Sequence, residues 1–144
     1  MTQAGDRIEV VSAAIVRDGR VLMLQRTPKP GWPTLDYVFA TPGGKVESGE
    51  DHRTALLREL EEELGLRIAR VGATVYSVDV DPPSIARHVH LTCYRVEWSD
   101  VVGLPMALDG AVGFAWLDAR GLTCLALAPA DTLGMDELLA TLYS

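Results

Sequence analysis

Hydrophobic residues open the chain in two runs separated by a polar turn. Residues 8–16 and 21–25 are rich in Val, Ile, Leu and Ala, and the pair Asp18-Gly19 lies between them. An Asp-Gly pair between two such runs is a strong signal for a tight β-hairpin turn. The pattern therefore predicts a hairpin at the start of the fold.

A proline-rich loop and a glycine-rich turn follow the hairpin. Residues 27–34 contain three prolines and a glycine, which predicts a surface loop of the kind that often determines specificity. Residues 37–40 have the pattern of a short strand, which runs into the tight turn Pro42-Gly43-Gly44. The loop and the turn are therefore expected to bracket one short strand.

The strongest helical pattern covers residues 51–64, and Gly65 supplies a stop signal after it. The apolar positions of this segment form one stripe, made of Ala55, Leu56, Leu57, Leu60 and Leu64. Three glutamates lie off that stripe, namely Glu59, Glu62 and Glu63. We therefore expect the helix to bury its leucines and to present the glutamates on another face.

The second half of the chain predicts three more strands. Residues 69–79 and 88–97 have strand patterns, and the turn Asp81-Pro82-Pro83-Ser84 separates them. Residues 111–117 form the last short strand.

A closing helix is predicted over residues 131–142, with Asp131 placed to cap its N-terminus. Strands therefore lie before, between and after two helices. This order predicts one domain, residues 1–144, built as an α/β or α+β sandwich with a mixed sheet and helices on its faces.

The composition restricts the class of ligand. Hydrophobic residues make up 48% of the chain and charged residues 23%, which is typical of a globular protein. Thirteen Lys and Arg stand against 20 Asp and Glu, a formal net charge of −7, so the basic surface that a nucleic-acid duplex requires is missing. A small anionic ligand is compatible with this charge if metal ions bridge it to the protein.

Cysteine usage and the distribution of apolar residues indicate the compartment. Cys93 and Cys124 are too few for a disulfide framework, and residues 1–5 lack the basic-then-apolar pattern of a signal peptide. No apolar run approaches the roughly 20 residues that a membrane-spanning helix needs. We therefore expect a reduced, cytoplasmic protein without a membrane segment. The sequence leaves open whether the protein is a monomer or a homodimer.

The glutamates of the first helix are the main candidates for chemistry. Glu59, Glu62 and Glu63 stand at i, i+3 and i+4, so on a helix their side chains share one face. Neighbouring like charges at this spacing cost a few tenths of a kcal/mol. Hard divalent cations such as Mg²⁺ prefer oxygen ligands and would offset that cost. The competing interpretation is a solvated acidic face without a function.

The loop before this helix favours the functional interpretation. Residues 42–50 read Pro-Gly-Gly-Lys-Val-Glu-Ser-Gly-Glu and lead directly into the helix. The first turn of a helix has unpaired N–H groups, and glycines allow the backbone to approach a phosphate or a metal closely. The acidic helix face therefore adjoins a segment suited to phosphate binding.

Nine residues within a 23-residue segment match every fixed position of the Nudix box: Gly44, Glu50, Arg58, Glu59, Leu60, Glu62, Glu63, Gly65 and Leu66. The chain thus resembles the Nudix hydrolase family. The resemblance implies an α/β/α sandwich with a mixed central sheet. It also implies hydrolysis of a nucleoside diphosphate linked to another group, with Mg²⁺ as the cofactor and Mn²⁺ as an alternative ion.

The resemblance also implies roles for individual residues. The metal ligands would be Glu59, Glu62 and Glu63, joined by the backbone carbonyl of Gly44. Arg58 would form an ion pair that orients a glutamate, with Glu50 as its partner or as an outer ligand. A metal-bound water loses its proton readily, and the ions neutralise charge on the phosphates. The resemblance thus places both the cofactor and the reacting water beside the acidic helix.

Two basic residues are candidates for phosphate binding, and the general base is open. Lys45 lies in the glycine-rich loop and Arg26 ends the second strand, although either is also compatible with a simple surface role. Within the family the base is a box glutamate or a glutamate from another loop. Asp109 offers an extra carboxylate, but an Asp-Gly turn explains it equally.

Other segments resemble the MutT-like branch of the family, which hydrolyses nucleoside triphosphates to monophosphate and pyrophosphate. These segments are residues 10–16, the Leu-Gln-Arg end of the second strand, and residues 128–131. The resemblance implies that Asp131 reaches the nucleobase, where it would accept a hydrogen bond from an exocyclic amine of cytosine or guanine. Helix capping by Asp131 does not exclude that contact.

The chain departs from this branch around the base site. Thr41 precedes Pro42-Gly43-Gly44 where the branch commonly has a large apolar residue, and the loop 27–34 is long. Stacking on the base is therefore an open question. The aromatic candidates are Trp32, Tyr37 and Phe39, which either line a base pocket or belong to the core.

The leading hypothesis is a housecleaning hydrolase of canonical or oxidised nucleoside triphosphates. The alternative substrates are ADP-ribose and dinucleoside polyphosphates, and a Nudix-fold module that senses nucleotides without cleaving them is the alternative of another class. The complete glutamate set argues against the sensor. His88 and His90 share a strand face, but no third nitrogen or sulfur ligand is evident, which favours packing or substrate contact over a metal site.

Overall fold

The computed structural model describes residues 7–28, 30–31, 36–82, 87–108 and 110–143. Trp32 and Asp109 lie outside these residues, as do parts of the loop 27–34 and of the turn 81–84. The strands are β1 (Ile8–Arg17), β2 (Arg20–Arg26), β3 (Phe39–Ala40), β4 (Gly43–Lys45), β5 (Arg67–Ile68), β6 (Thr74–Val80), β7 (Val89–Glu97), β8 (Val101–Val102) and β9 (Ala111–Leu117). The helices are α1 (His52–Leu64), α2 (Ala119–Cys124), α3 (Pro129–Leu133) and α4 (Met135–Thr141), and Trp98–Asp100 forms a 3₁₀ turn.

The larger sheet is mixed. Its order is β3-β2-β1-β7-β6, with β4 pairing β1 and β9 pairing β2. The central strand β1 runs antiparallel to β2 and parallel to β7. β5 and β8 form a separate two-stranded sheet.

The two faces of the sheet carry two hydrophobic clusters, because successive side chains of a strand point to opposite faces. In β1, Val11 and Ile15 pack with the leucines of α1. Ala14 and Val16 belong to the cluster on the other face, which also contains Leu122 of α2 and Leu138 of α4. The molecule is therefore an α/β/α sandwich, and the fold class expected from the sequence is confirmed.

The sheet splits beside β1. β1 and β2 pair only near their turn, at Val16↔Val21 and Arg17↔Arg20. Towards the other end of β1, β4 takes the place of β2, with the register running from Val10↔Lys45 to Ser12↔Gly43. β2 continues instead with β3 and β9. This divergence separates the end of β2 from β1 and leaves space between them.

The glycine pair that was expected to form a tight turn belongs to strand β4. A Cβ atom at Gly43 would lie 2.0 Å from the carbonyl oxygen of Val11, so only glycine allows β4 to approach β1 this closely. The strand expected over residues 69–79 also differs, since its regular part begins at Thr74. A register shift between Thr74 and Tyr76 makes its start irregular.

The closing helix is broken into α3 and α4, and α2 was not predicted. The break lies at Gly134, where a Cβ atom would meet the Tyr76 ring at 2.5 Å, so the chain passes directly over that ring. Asp131 lies inside α3, whose N-cap is Ala128, and the prediction that Asp131 caps the helix is wrong. The helix begins earlier than expected because Pro129 occupies its first turn.

The longest helix is α1, with 13 residues. Within the described ranges, no helix combines the length and the apolar character that crossing a membrane would require. Cys93 is buried, Cys124 is exposed, and both are free thiols.

Candidate active site

Helix α1 has a fixed start, end and rotation. Asp51 caps its N-terminus by accepting a hydrogen bond from the Thr54 backbone N–H, and Gly65 ends it in the left-handed conformation with φ 70°. Leu56 and Leu60 are fully buried against the sheet. Their burial sets the rotation of the helix, which turns Glu59 and Glu63 towards the glycines of β4.

Glu63 is buried although it lies off the leucine stripe. One carboxylate oxygen accepts a hydrogen bond from the Gly43 backbone N–H at 2.8 Å, and the other accepts one from the Arg26 guanidinium at 3.2 Å. Burial raises the pKa of Glu63 to about 7, against the opposing effect of Arg26. The carboxylate is therefore only partly compensated by these contacts, and an additional cation would favour its charged form.

Glu59 lies directly against Gly44. A Cβ atom at Gly44 would be 2.4 Å from the carboxyl carbon of Glu59, so a side chain at this position would displace the carboxylate. Burial also raises the pKa of Glu59, although Arg58 partly opposes this shift. The absence of a side chain at Gly44 therefore allows the Glu59 carboxylate to lie against the backbone of β4.

Arg58 connects the glycine-rich loop to the helix. Its guanidinium donates to both oxygens of Glu50, at 2.7 and 2.8 Å, and to the Lys45 carbonyl at 3.0 Å. It also donates to Glu59 at 2.9 Å. The hydrogen bond from Arg58 is the main reason that the pKa of Glu50 falls to about 2. The Arg58–Glu50 contact expected from the sequence is therefore present, and it holds the loop against α1.

Glu62 is placed differently from the other two glutamates. Its side chain is 50% exposed and lies 3.4 Å from Arg58, outside the pocket that Glu59 and Glu63 line. Consequently, the side chains of the described residues do not converge into a ready group of three or more metal-ligating residues.

The donor set nevertheless fits a hard divalent cation. Glu59 and Glu63 are carboxylates with raised pKa values, they adjoin the backbone of Gly43 and Gly44, and Glu62 is one turn away on the solvent side. Oxygen ligands with room for several waters are what Mg²⁺ prefers.

A cavity of about 280 Å³ is lined by these two glutamates, by strands of the larger sheet and by α3. Its polar end contains Arg26, Lys45, Glu59 and Glu63. Its walls are aliphatic and come mainly from Ile8, Val10, Val80, Val89, Leu91 and Ala128. The cavity therefore has one end lined by acidic and basic side chains. Its remaining part is lined by the aliphatic side chains and is called the apolar chamber below; the cavity lies where β1 and β2 diverge.

Asp131 lies in the wall of this chamber and is almost completely buried. Its carboxylate accepts hydrogen bonds from the backbone N–H and the hydroxyl of Thr41 and from the hydroxyl of Tyr76. Sequence reasoning missed Tyr76 and treated Thr41 only as a departure from a family pattern. Polarity gave no signal for Tyr76, since β6 also contains Thr74, Ser77 and Asp79.

The other candidates lie elsewhere. Tyr37 is exposed, and Phe39 packs against the core, so neither lines the cavity. His88 contacts Asp81 and His90 contacts Glu9. Among the described residues that line the apolar chamber, none is aromatic.

Comparisons with known proteins agree with this geometry. The NUDIX domain family matches residues 6–142. The chain is 38% identical over 133 residues to the CTP pyrophosphohydrolase of Escherichia coli K12, covering 92% of both chains. It is 39% identical over 135 residues to the putative 8-oxo-dGTP diphosphatase 2 of Mycobacterium tuberculosis, covering 92% of this chain and 89% of that relative.

A solved structure shows the same fold. The MutT NUDIX hydrolase of Burkholderia pseudomallei superimposes with a TM-score of 0.78 at 28% identity, covering 91% of this chain and 97% of the other. The family match over nearly the whole chain, the similar relatives and the shared fold lead to one conclusion: this chain belongs to the Nudix hydrolase family and resembles its MutT-like members.

Proposed function

We propose that this Nudix hydrolase cleaves nucleoside triphosphates to monophosphate and pyrophosphate and thereby clears canonical or oxidised nucleotides from the pool. The observation that carries the proposal is the cavity of about 280 Å³, which is lined by Glu59 and Glu63, by the basic side chains of Arg26 and Lys45, and by Asp131. This volume is close to that of small-molecule pockets, and the phosphates would lie at the glutamates with the base against the aliphatic walls. The similar E. coli and M. tuberculosis proteins are named for reactions of CTP and 8-oxo-dGTP.

Mg²⁺, or Mn²⁺ in its place, would be held by Glu59, Glu62 and Glu63 with the Gly44 carbonyl. When bound, such an ion acidifies a coordinated water and neutralises charge on the phosphates. Lys45 and Arg26 line the same end of the cavity and would pair with phosphate oxygens. Arg58, which is held by Glu50, keeps Glu59 beside Gly44.

A nucleotide panel with product analysis tests the proposal. With Mg²⁺ present, the purified protein is expected to release pyrophosphate and a nucleoside monophosphate from at least one nucleoside triphosphate. Exclusive cleavage of ADP-ribose or of dinucleoside polyphosphates would contradict the proposed substrate. Nucleotide binding without any turnover would contradict hydrolysis and favour a sensor.

The substitution Glu63→Gln tests the role of the buried carboxylate. We expect a loss of kcat of at least about 100-fold, because the amide keeps the shape but is a poor metal ligand. The matched control is Glu61→Gln, on the exposed face of the same helix, where Glu61 makes only a 4.0 Å contact with Arg67. Equal activity of both variants would exclude Glu63 from the reaction.

A further inference from the structure

We propose that Thr41 and Tyr76 are positioning residues that fix the direction of the Asp131 carboxylate, and that the preference of Asp131 for a base with an exocyclic amine depends on their two hydroxyls. The inference rests on the proposed function, since it concerns which base the same cavity accepts. Its basis is the hydrogen bonding of Asp131, which none of the sequence motifs indicates.

The two oxygens of Asp131 are used unequally. Oδ1 accepts a hydrogen bond from the Thr41 hydroxyl at 2.7 Å and another from the Tyr76 hydroxyl. Oδ2 accepts only from the Thr41 backbone N–H, at 3.2 Å. A carboxylate has about four acceptor positions, two on each oxygen. Among the described residues, one acceptor position on Oδ2 therefore has no hydrogen-bond partner, and Asp131 lines the cavity.

Among the described residues, each hydrogen bond of the Asp131 carboxylate is with a donor. Thr41 Oγ1 is also hydrogen-bonded to Ser12 Oγ at 2.9 Å. Because a hydroxyl has one proton and two lone pairs, Ser12 can donate to Thr41 while Thr41 donates to Asp131. The surrounding groups are thus arranged to keep Asp131 as an acceptor, in a region where an unmatched carboxylate would be costly.

Three separate elements fix the direction of the carboxylate. Asp131 comes from α3, Tyr76 from β6, and Thr41 from the link between β3 and β4. Thr41, Tyr76 and Asp131 are all buried. Rotation of the carboxylate would break contacts to two elements at once, so the open position keeps its direction.

The chemistry of the bases then gives the selection. An exocyclic amine of cytosine, adenine or guanine donates to Oδ2, whereas a carbonyl at the same place puts two acceptors against each other. The wall residues Val80, Leu91 and Ala130 have no side-chain donor that would satisfy such a carbonyl. Ser12 and Thr41 also line the cavity, but their hydroxyls are hydrogen-bonded to each other and to Asp131. Pairs that differ at one amine therefore report on this contact: CTP against UTP, and GTP against ITP.

The experiment uses the hydroxyl deletions Thr41→Val and Tyr76→Phe. In the preferred pair, we compare kcat/KM for the amine-bearing nucleotide with kcat/KM for its partner. Each deletion is expected to lower this ratio about tenfold, mainly through a higher KM for the amine-bearing nucleotide, because Asp131 loses one charge-assisted hydrogen bond. Thr41→Ser keeps the hydroxyl and is expected to retain the ratio. The controls are Thr92→Val and Tyr94→Phe, whose hydroxyls contact Ser77 and His52 instead.

A second measurement does not depend on turnover. Calorimetry with CMP and UMP, and with GMP and IMP, is expected to show the same loss of selectivity in both deletion variants. If either deletion prevents cooperative thermal unfolding, the other deletion still carries the test. Selectivity equal to wild type in the folded deletion variants overturns this inference while the proposed function stands. Absence of any nucleoside triphosphate hydrolysis by the wild-type protein overturns the proposed function itself.

Discussion

At the scale of single residues, the site depends on the missing side chain of Gly44 as well as on the carboxylates that are present. Gly44 has no side chain, and this absence lets the Glu59 carboxylate lie against the backbone. Glu63 shows the complementary feature, because burial raises its pKa to about 7. Burial thus disfavours the charged form of Glu63, and a cation bound beside it would stabilise that form.

Substitution of Gly44 by alanine tests this arrangement. The new Cβ atom would displace the Glu59 carboxylate, so we expect Mg²⁺ affinity to fall by about 10- to 100-fold with little change in secondary structure. Affinity is measured by Mn²⁺ calorimetry and by the Mg²⁺ dependence of turnover. The control is Gly113→Ala in β9, where a Cβ atom would meet nothing within 4 Å. Equal metal affinity in the two variants would contradict the role assigned to Gly44.

At the scale of elements, α1 and the preceding loop act as one unit. The Asp51 cap and the Gly65 end set the length of the helix, and its buried leucines set its rotation. Arg58 then fastens the loop to the helix through Glu50 and the Lys45 carbonyl. This contact orients residues on both sides of the polar end of the cavity.

The Arg58–Glu50 pair makes the stability of this unit depend on pH. Because the pKa of Glu50 is lowered to about 2 from an ordinary value of 4.5, its contribution is present above about 4.5 and is lost as pH falls towards 2. We expect Glu50→Gln to be less stable than wild type at pH 7, with the difference shrinking as pH falls from 4.5 to 3. Urea unfolding across that range measures it, and Glu47→Gln, in the same loop, is the control. A difference that does not change with pH would exclude the ion pair as its source.

At the scale of the whole molecule, the cavity exists because the sheet divides. β4 replaces β2 beside β1, and the cavity is lined from both sides of the division as well as from α1 and α3. A ligand that fills the cavity would therefore contact β1, β2, α1 and α3 at the same time.

Ligand binding is expected to stabilise the fold, because the cavity exists in the folded chain and not in the unfolded chain. With Mg²⁺ and a non-hydrolysable nucleoside triphosphate at about 100 times Kd, the stabilisation is about 2.7 kcal/mol, which corresponds to roughly 5–10 °C in Tm. Thermal unfolding followed by circular dichroism measures the shift. Glu63→Gln is expected to reduce the shift, whereas an unchanged Tm of the wild-type protein at saturating ligand would contradict binding in this cavity.

The sequence by itself determined the features that depend on neighbouring residues. The Asp18-Gly19 hairpin, the helix ending at Leu64 and the spacing of the nine box residues follow from turn chemistry and from 3.6 residues per turn. These local rules were sufficient to predict the first hairpin and helix α1, and the resemblance carried by the nine box residues indicated the family and its fold.

Only the tertiary structure decided the features that depend on distant pairing. The parallel register of β1 and β7, the partnership of Arg26 with Glu63, and the burial of Asp131 between Thr41 and Tyr76 join segments far apart in the chain. The predicted helix cap at Asp131 failed for a local reason, because Pro129 begins α3 two residues earlier, whereas the break of the closing helix at Gly134 depends on its packing against the distant Tyr76. Such contacts are selected by the packing of the whole core rather than by local backbone preference.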